Sequence, residues 1–197
     1  MALDDGIAAN LAGGTHHPYP DHGEGYCVLN DIAVSIRVLQ IRGLIQRTLV
    51  IDLDVHQGNG TAAIFADDPG VYTFSMHGEN NYPLRKEQSS RDAGLPDSTN
   101  DETYLGVLAE ELLSVFTTSH PDIVFYLAGV DPVAGDRFGR LAMSRHGIHR
   151  RDRYVLETAK SAGTPIIVLM SDGYAKTAEL TTDLHAIVHR EAARLYA

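Results

Sequence analysis

The stretch Ile51-Asp52-Leu53-Asp54-Val55-His56-Gln57-Gly58-Asn59-Gly60 constrains this chain more than any other. Thr48-Leu49-Val50 leads into it, so an apolar, β-branched run passes straight into acids, a histidine and glycines. A buried strand explains the run, and the glycines explain where it stops. On a strand from Thr48 to Asp54, alternation puts Asp52, Asp54 and His56 on one face, about 7 Å between successive members. Two carboxylates and an imidazole at the end of a buried strand are costly unless something neutralises them. A divalent cation does so, because it takes carboxylate oxygen and neutral imidazole nitrogen together. A turn whose aspartates cap a helix near Thr61 accounts for the same residues, and on this stretch alone both readings stand.

The rest of the chain repeats the pattern of apolar run followed by polar cluster. Met1 to Ala12 reads as a helical turn or a loose arm, and Gly13 to Gly25 as an irregular loop rich in glycine, proline and histidine. A helix is predicted from Asn30 or Asp31, with Ile32, Ile36 and Leu39 on one face and Gly43 as its stop. After the metal-type stretch come a short helix over Thr61 to Phe65 and a strand over Val71 to His77. Glu79 to Asn100 is polar and without period, which predicts a long surface loop. Thr99 and Glu102 have capping-box spacing ahead of Leu105, Leu108, Leu112 and Val115. Strands are predicted at Ile123 to Ala128 and Pro165 to Met170, with a helix over Ile148 to Ala162 between them and another closing the chain. Strands alternating with helices predict an α/β fold with a doubly wound, mostly parallel sheet in three layers. At 197 residues and 44% hydrophobic content, one domain over 1–197 is expected.

Ligands in open α/β sheets collect beyond the carboxyl ends of the strands. Three further clusters fall there: Gly13-Gly14-Thr15-His16-His17, Ala128-Gly129-Val130-Asp131 and Ser171-Asp172-Gly173-Tyr174. Together with Asp-Leu-Asp-Val-His-Gln-Gly-Asn-Gly and Ala-Gly-Val-Asp-Pro-Val-Ala-Gly-Asp-Arg, they make the chain resemble the histone deacetylase family of the arginase-like superfamily, most closely its class IV branch. The resemblance runs from about Ala12 to the end, with four motifs in order.

That resemblance implies a set of roles. Asp54, His56 and Asp131 match the zinc ligands, three donors that leave coordination open for water and substrate; iron(II) suits the same set. His17 matches the general base and later acid, and His16 its electrostatic partner. Asp52 and Asn59 match the acceptors behind His16 and His17, respectively. Some members have Asp at the second position, so the neutral amide of Asn59 implies a less basic His17. Tyr174 matches the donor to the developing oxyanion. Tyr26 and Tyr82 match the two channel walls, Gly25 a backbone carbonyl that accepts the substrate amide N–H, and Phe138 a residue at the pocket mouth. A structural monovalent cation near Asp52 belongs to the same picture. The implied reaction is hydrolysis of an acetyl or longer acyl amide on lysine, in a peptide or protein, or on a small acylated amine.

Two departures stand out. Asp172 occupies a position that is usually glycine; its carboxylate either perturbs the tyrosine loop, attracts a cationic group, or faces solvent. Family members also carry a substantial segment before the Gly-Gly-Thr-His-His loop, supplying two strands and a rim acid, whereas this chain has only a dozen residues there. On that reading, Thr48 to Ile51 becomes a sheet edge with no lysine, proline or glycine to blunt it, and a homo-oligomer, most simply a C2 dimer, is expected. Two other functions stay open: a ureohydrolase-type enzyme with two manganese ions, for which Gly58 replaces a needed acid, and a binding remnant of the fold without turnover.

Charge and cysteine usage narrow the setting. A net charge of −10 argues against a nucleic-acid surface, and the apolar stretches are strand-sized rather than membrane-sized. The one cysteine, Cys27, forms no internal disulfide, which fits a reducing compartment, with the cytoplasm expected.

Overall fold

The computed structural model describes residues 1–197. Its elements in chain order are α1 (Ala2–Asp5), β1 (Ile7–Asn10), α2 (Asp31–Ile41), β2 (Thr48–Asp52), α3 (Asn59–Phe65), β3 (Val71–Gly78), β4 (Arg91–Leu95), α4 (Asp101–Ser119), β5 (Ile123–Leu127), α5 (Arg145–Ser161), β6 (Ile166–Leu169) and α6 (Ala178–Tyr196). All six strands are parallel, in the order β1-β6-β5-β2-β3-β4. Alternation along β2 divides the core. Leu49 and Ile51 join the larger apolar cluster, under α4, α5 and α6, while Val50 joins the smaller one with Ile32 and Ile36 of α2 and Phe65 of α3. Helices therefore cover both faces, and β2 and β5 are buried at every residue. Their near-continuous apolar runs are what a parallel sheet covered on both sides demands. No helix is long and apolar enough to cross a membrane.

Helix boundaries follow local chemistry. The Asn30 side chain accepts the Ala33 N–H at the start of α2, and Ser144 accepts the Gly147 N–H at the start of α5. For α4 the cap is Asn100, accepting from Thr103, one residue beyond the expected Thr99. The Thr99 hydroxyl turns back to the Pro96 carbonyl at 2.7 Å instead.

Three expectations are corrected. The loop expected over Glu79 to Asn100 contains β4, whose Arg-Asp-Ala-Gly-Leu has no strand pattern and is held by its pairing to β3. The region before Ala12 forms a helical turn, α1, as one of its two readings has it, but then a strand that neither foresees, β1, which pairs with β6. Most consequentially, β2 is not an edge: β3 and β5 flank it on either side. The edges are β1 and β4: β6 and β5 lie between β1 and β2, and β3 lies between β4 and β2. Self-association through Thr48 to Ile51 thus loses its basis.

Candidate metal centre and substrate cavity

Strand β2 ends at Asp52, two residues before the expected end, so Asp52, Asp54 and His56 do not stand in file. The acids themselves turn the chain: Asp52 Oδ1 accepts the Asp54 N–H at 3.2 Å, and Asp54 Oδ1 accepts the His56 N–H at 2.9 Å. Short side-chain-to-backbone bonds of this kind compete with strand pairing. The helix-cap reading of the same aspartates fails, since α3 begins after Gly58 without a side-chain cap.

This turning brings Asp54, His56 and Asp131 to one point. His56 Nδ1 lies 3.0 Å from Asp54 Oδ1 and 3.1 Å from Asp131 Oδ2. The remaining carboxylate oxygens are tied down: Asp131 Oδ1 accepts the Val55 N–H at 2.9 Å, and Asp54 Oδ2 accepts Ser171 Oγ at 2.8 Å and the Asp172 N–H at 3.0 Å. Asp131 Oδ2 is fully buried, and no hydrogen bond satisfies it. Donors of a tetrahedral ion with bonds near 2.0 Å lie about 3.3 Å apart, so the residues fit a divalent metal. Before an ion binds, burial disfavours a charged His56, but Asp131 and Asp54 outweigh it and push its pKa up to about 11. An ion takes the place of that proton.

Asp172 joins the same group. Its carboxylate lies within 4.8 Å of the ligand atoms of Asp54, His56 and Asp131, and 3.8 Å from His56 Nδ1. Burial, then the Asp54 charge, raise its pKa to about 6. Of the three placements open for it, the carboxylate takes one turned toward the cluster while the side chain stays one-third exposed.

The histidine pair lies beside this centre and splits into unlike halves. His16 Nδ1 is 2.7 Å from Asp52 Oδ2, both buried. Burial opposes the charge on His16, yet Asp52 overrides it and raises the pKa to about 9. His17 Nδ1 is 2.7 Å from Asn59 Oδ1. The amide orientation is set, because Asn59 Nδ2 donates to Glu24 Oε1 at 2.8 Å and to the Tyr19 hydroxyl at 3.2 Å. Asn59 Oδ1 only accepts, so His17 carries its proton on Nδ1 and leaves Nε2 as a lone pair. Burial and the neighbouring His16 charge lower His17 to about 3. Glu24 is a participant the sequence reading missed; a glutamate between two glycines carries no pattern that points to it.

A cavity of about 500 Å³ opens onto these groups, in the range of small-molecule sites. His17, His56, Asp172 and Tyr174 line it, as do Gly25, Tyr26, Tyr82 and Phe138. Tyr82 stands edge-on to His17, with ring centroids 5.1 Å apart, and its hydroxyl donates to Glu24. Phe138 stands edge-on to Tyr174 at 4.8 Å and is half exposed. Tyr26 is 97% exposed with a φ of +64°, a left-handed aromatic at the rim, where functional sites hold strain. Gly25 is required twice over: its φ is +57°, and a Cβ there would meet His17 ring atoms at 2.2 Å. Burial, then the Asp172 charge, push the Tyr174 hydroxyl above its ordinary pKa, so it stays protonated.

Beneath the centre lies a buried ion pair that the sequence reading also missed. Arg151 of α5 is fully buried; Nη1 donates to the Gly129 carbonyl at 2.6 Å and the Leu53 carbonyl at 3.3 Å, while Nη2 and Nε bind Asp152. One guanidinium thus ties together the loops that carry Asp54 and Asp131. Adjacent charges on an otherwise ordinary helix give no sequence signal for this.

A doubly wound parallel sheet thus carries at its carboxyl edge an Asp-His-Asp cluster that could hold a divalent metal, with tandem histidines beside it. The histone deacetylase domain matches residues 1–190, and the chain belongs to that family. It is 50% identical over 196 residues to an uncharacterized protein of Picosynechococcus sp., covering 100% of this chain and 65% of that protein. It is also 36% identical to histone deacetylase 2 of Arabidopsis thaliana, covering 90% of this chain and 46% of the relative. With histone deacetylase 8 of Xenopus tropicalis the identity is 32%, over 95% and 53%. The chain therefore spans about half to two thirds of the length of these relatives.

Proposed function

We propose that the chain performs metal-dependent hydrolysis of an acyl amide on lysine or a lysine-like amine. The observation that carries this reading is the Asp54-His56-Asp131 group, whose His56 lines a cavity together with His17 and Tyr174. Asp54, His56 and Asp131 would hold zinc, or iron(II), which when bound supplies Lewis acidity toward the acyl oxygen and acidifies water.

The chain's own groups do the rest. His17 Nε2 accepts the proton from the attacking water and returns it to the leaving amine, and Asn59 keeps the ring in the tautomer that allows this. His16, held as imidazolium by Asp52, stabilises negative charge beside it. Tyr174, protonated at working pH, donates to the developing oxyanion. Tyr82 and Tyr26 grip the methylene stem, Phe138 borders the mouth, and the Gly25 carbonyl receives the substrate N–H. Asp52 also suits a structural monovalent cation, because Oδ1 has a lone pair free beyond the Asp54 amide.

The ureohydrolase alternative meets a steric bar. A Cβ at Gly58 would lie 2.4 Å from Asp52 Oδ2 and 3.1 Å from His16 Cβ, so an acid at that position has no room. The single domain of 1–197 and a cytoplasmic setting complete the reading, the latter from Cys27 alone. Turnover of a fluorogenic acetyl-lysine peptide, lost on chelation and restored by zinc, is the expected result. Metal binding without turnover on acetyl or longer acyl-lysine peptides would favour the binding remnant and overturn the enzyme reading.

A further inference from the structure

The backbone on either side of Asp172 is clamped by the two loops that carry the metal-type ligands. Its N–H donates to Asp54 Oδ2 at 3.0 Å, and its carbonyl accepts the Val130 N–H at 2.7 Å, one residue before Asp131. Ser171 before it adopts a φ of +57° and donates its own N–H to the Gly13 carbonyl at 3.0 Å. These bonds deliver the Asp172 side chain to the Asp54-His56-Asp131 group rather than to solvent. Its carboxylate lies within 4.8 Å of all three ligand atoms, and its side chain is one-third exposed.

The charge balance asks for a cation. Three carboxylates surround one imidazole, and Asp131 Oδ2, fully buried, has no hydrogen-bond partner beyond the ion-pair approach of His56 Nδ1 at 3.1 Å, whose proton Asp54 Oδ1 also accepts. A protonated His56 offsets one charge of three, whereas a divalent ion with neutral imidazole offsets two. We propose that Asp172 is a fourth protein ligand of the metal held by Asp54, His56 and Asp131. This rests on the metal-centre reading above and extends it. The donor set becomes three oxygens and one nitrogen, harder than a two-carboxylate site, which tightens binding and shifts preference from zinc toward iron(II) or manganese(II). It also fills the place that a three-ligand site leaves open, so water enters only if coordination expands or Asp172 swings away.

Cobalt(II) titration of the metal-free full chain tests this, with chelator competition for affinity and visible absorption for coordination. Wild type is expected to bind one ion. Asp172→Gly should bind it about 10-fold or more weakly, with a changed visible spectrum, and Asp172→Asn should fall between. Equal affinity and superimposable spectra in Asp172→Gly would overturn the proposal, as would two ions per chain with His16 and His17 forming the second site. If Asp172→Gly loses its fold by circular dichroism, Asp172→Asn decides, since it preserves the backbone clamp, and wild-type affinity there also overturns it. His56→Ala separates the two readings. A wild type that binds no more metal than His56→Ala sinks the metal centre itself; tight wild-type binding with an indifferent Asp172→Gly sinks only the fourth ligand.

Discussion

His17 and His16 are neighbours in the chain with opposite proton affinities: burial and the His16 charge hold His17 down to about 3, while the Asp52 carboxylate overrides burial and raises His16 to about 9. Replacing Asn59 with aspartate puts a carboxylate where the amide oxygen accepts the His17 Nδ1–H, which stabilises the imidazolium and raises its pKa. A general base is lost as pH falls through its pKa, so the acidic limb of kcat/KM should move to higher pH in Asn59→Asp, as read from pH–rate profiles. An unmoved limb would remove His17 from that role. Tyr174→Phe should keep the metal and lower kcat by roughly a hundredfold or more, the scale of one lost oxyanion donor. His56 binds a proton where an ion would bind, so metal uptake near pH 7 should release at least one proton and weaken as pH falls. Calorimetry in two buffers of different ionisation enthalpy measures that release directly.

At the scale of elements, the centre is built where β2 and β5 end, and α5 locks the two ends together through Arg151. The pair it forms with Asp152 is wholly buried, so removing one member strands the other charge. Arg151→Met should cost about 3–5 kcal/mol in urea unfolding, and Arg151→Met with Asp152→Leu should recover part of it. A loss no larger in the single variant than in the double would mean that the pair does not hold the loops. The helices on both faces and four of the six strands were legible because each carries its own period: Ile32 and Ile36 on α2, the β-branched run of β2, the leucines of α4. Strands β1 and β4 were not, because Ile7 to Asn10 and Arg91 to Leu95 are held by their neighbours β6 and β3 rather than marked by their own side chains.

For the whole molecule, a metal held at this centre would couple the site to the fold. An ion bound to the folded chain only, at a hundred times its Kd, adds about 2.7 kcal/mol. At this chain length each kcal/mol moves Tm by about 2–4 °C, so zinc should raise Tm by about 5–11 °C over the chelated protein. Scanning calorimetry checks this, and His56→Ala should abolish the shift. A wild-type Tm indifferent to zinc would leave the cluster without a metal role.

The sequence by itself determined the α/β class, the order of the elements other than β1 and β4, and the identity of the clustered residues, because periodicity and residue chemistry are local properties. It also marked Asp172 as out of place without saying what it does. Only the tertiary structure decided that β2 lies inside the sheet, since strand order depends on which crossovers pack and not on any one strand. Likewise, only the folded chain showed Glu24 behind Asn59, Arg151 beneath both ligand loops, and Asp172 turned toward His56. Those contacts join residues far apart in the chain, across a buried region where an unpaired charge is too costly to leave unmatched.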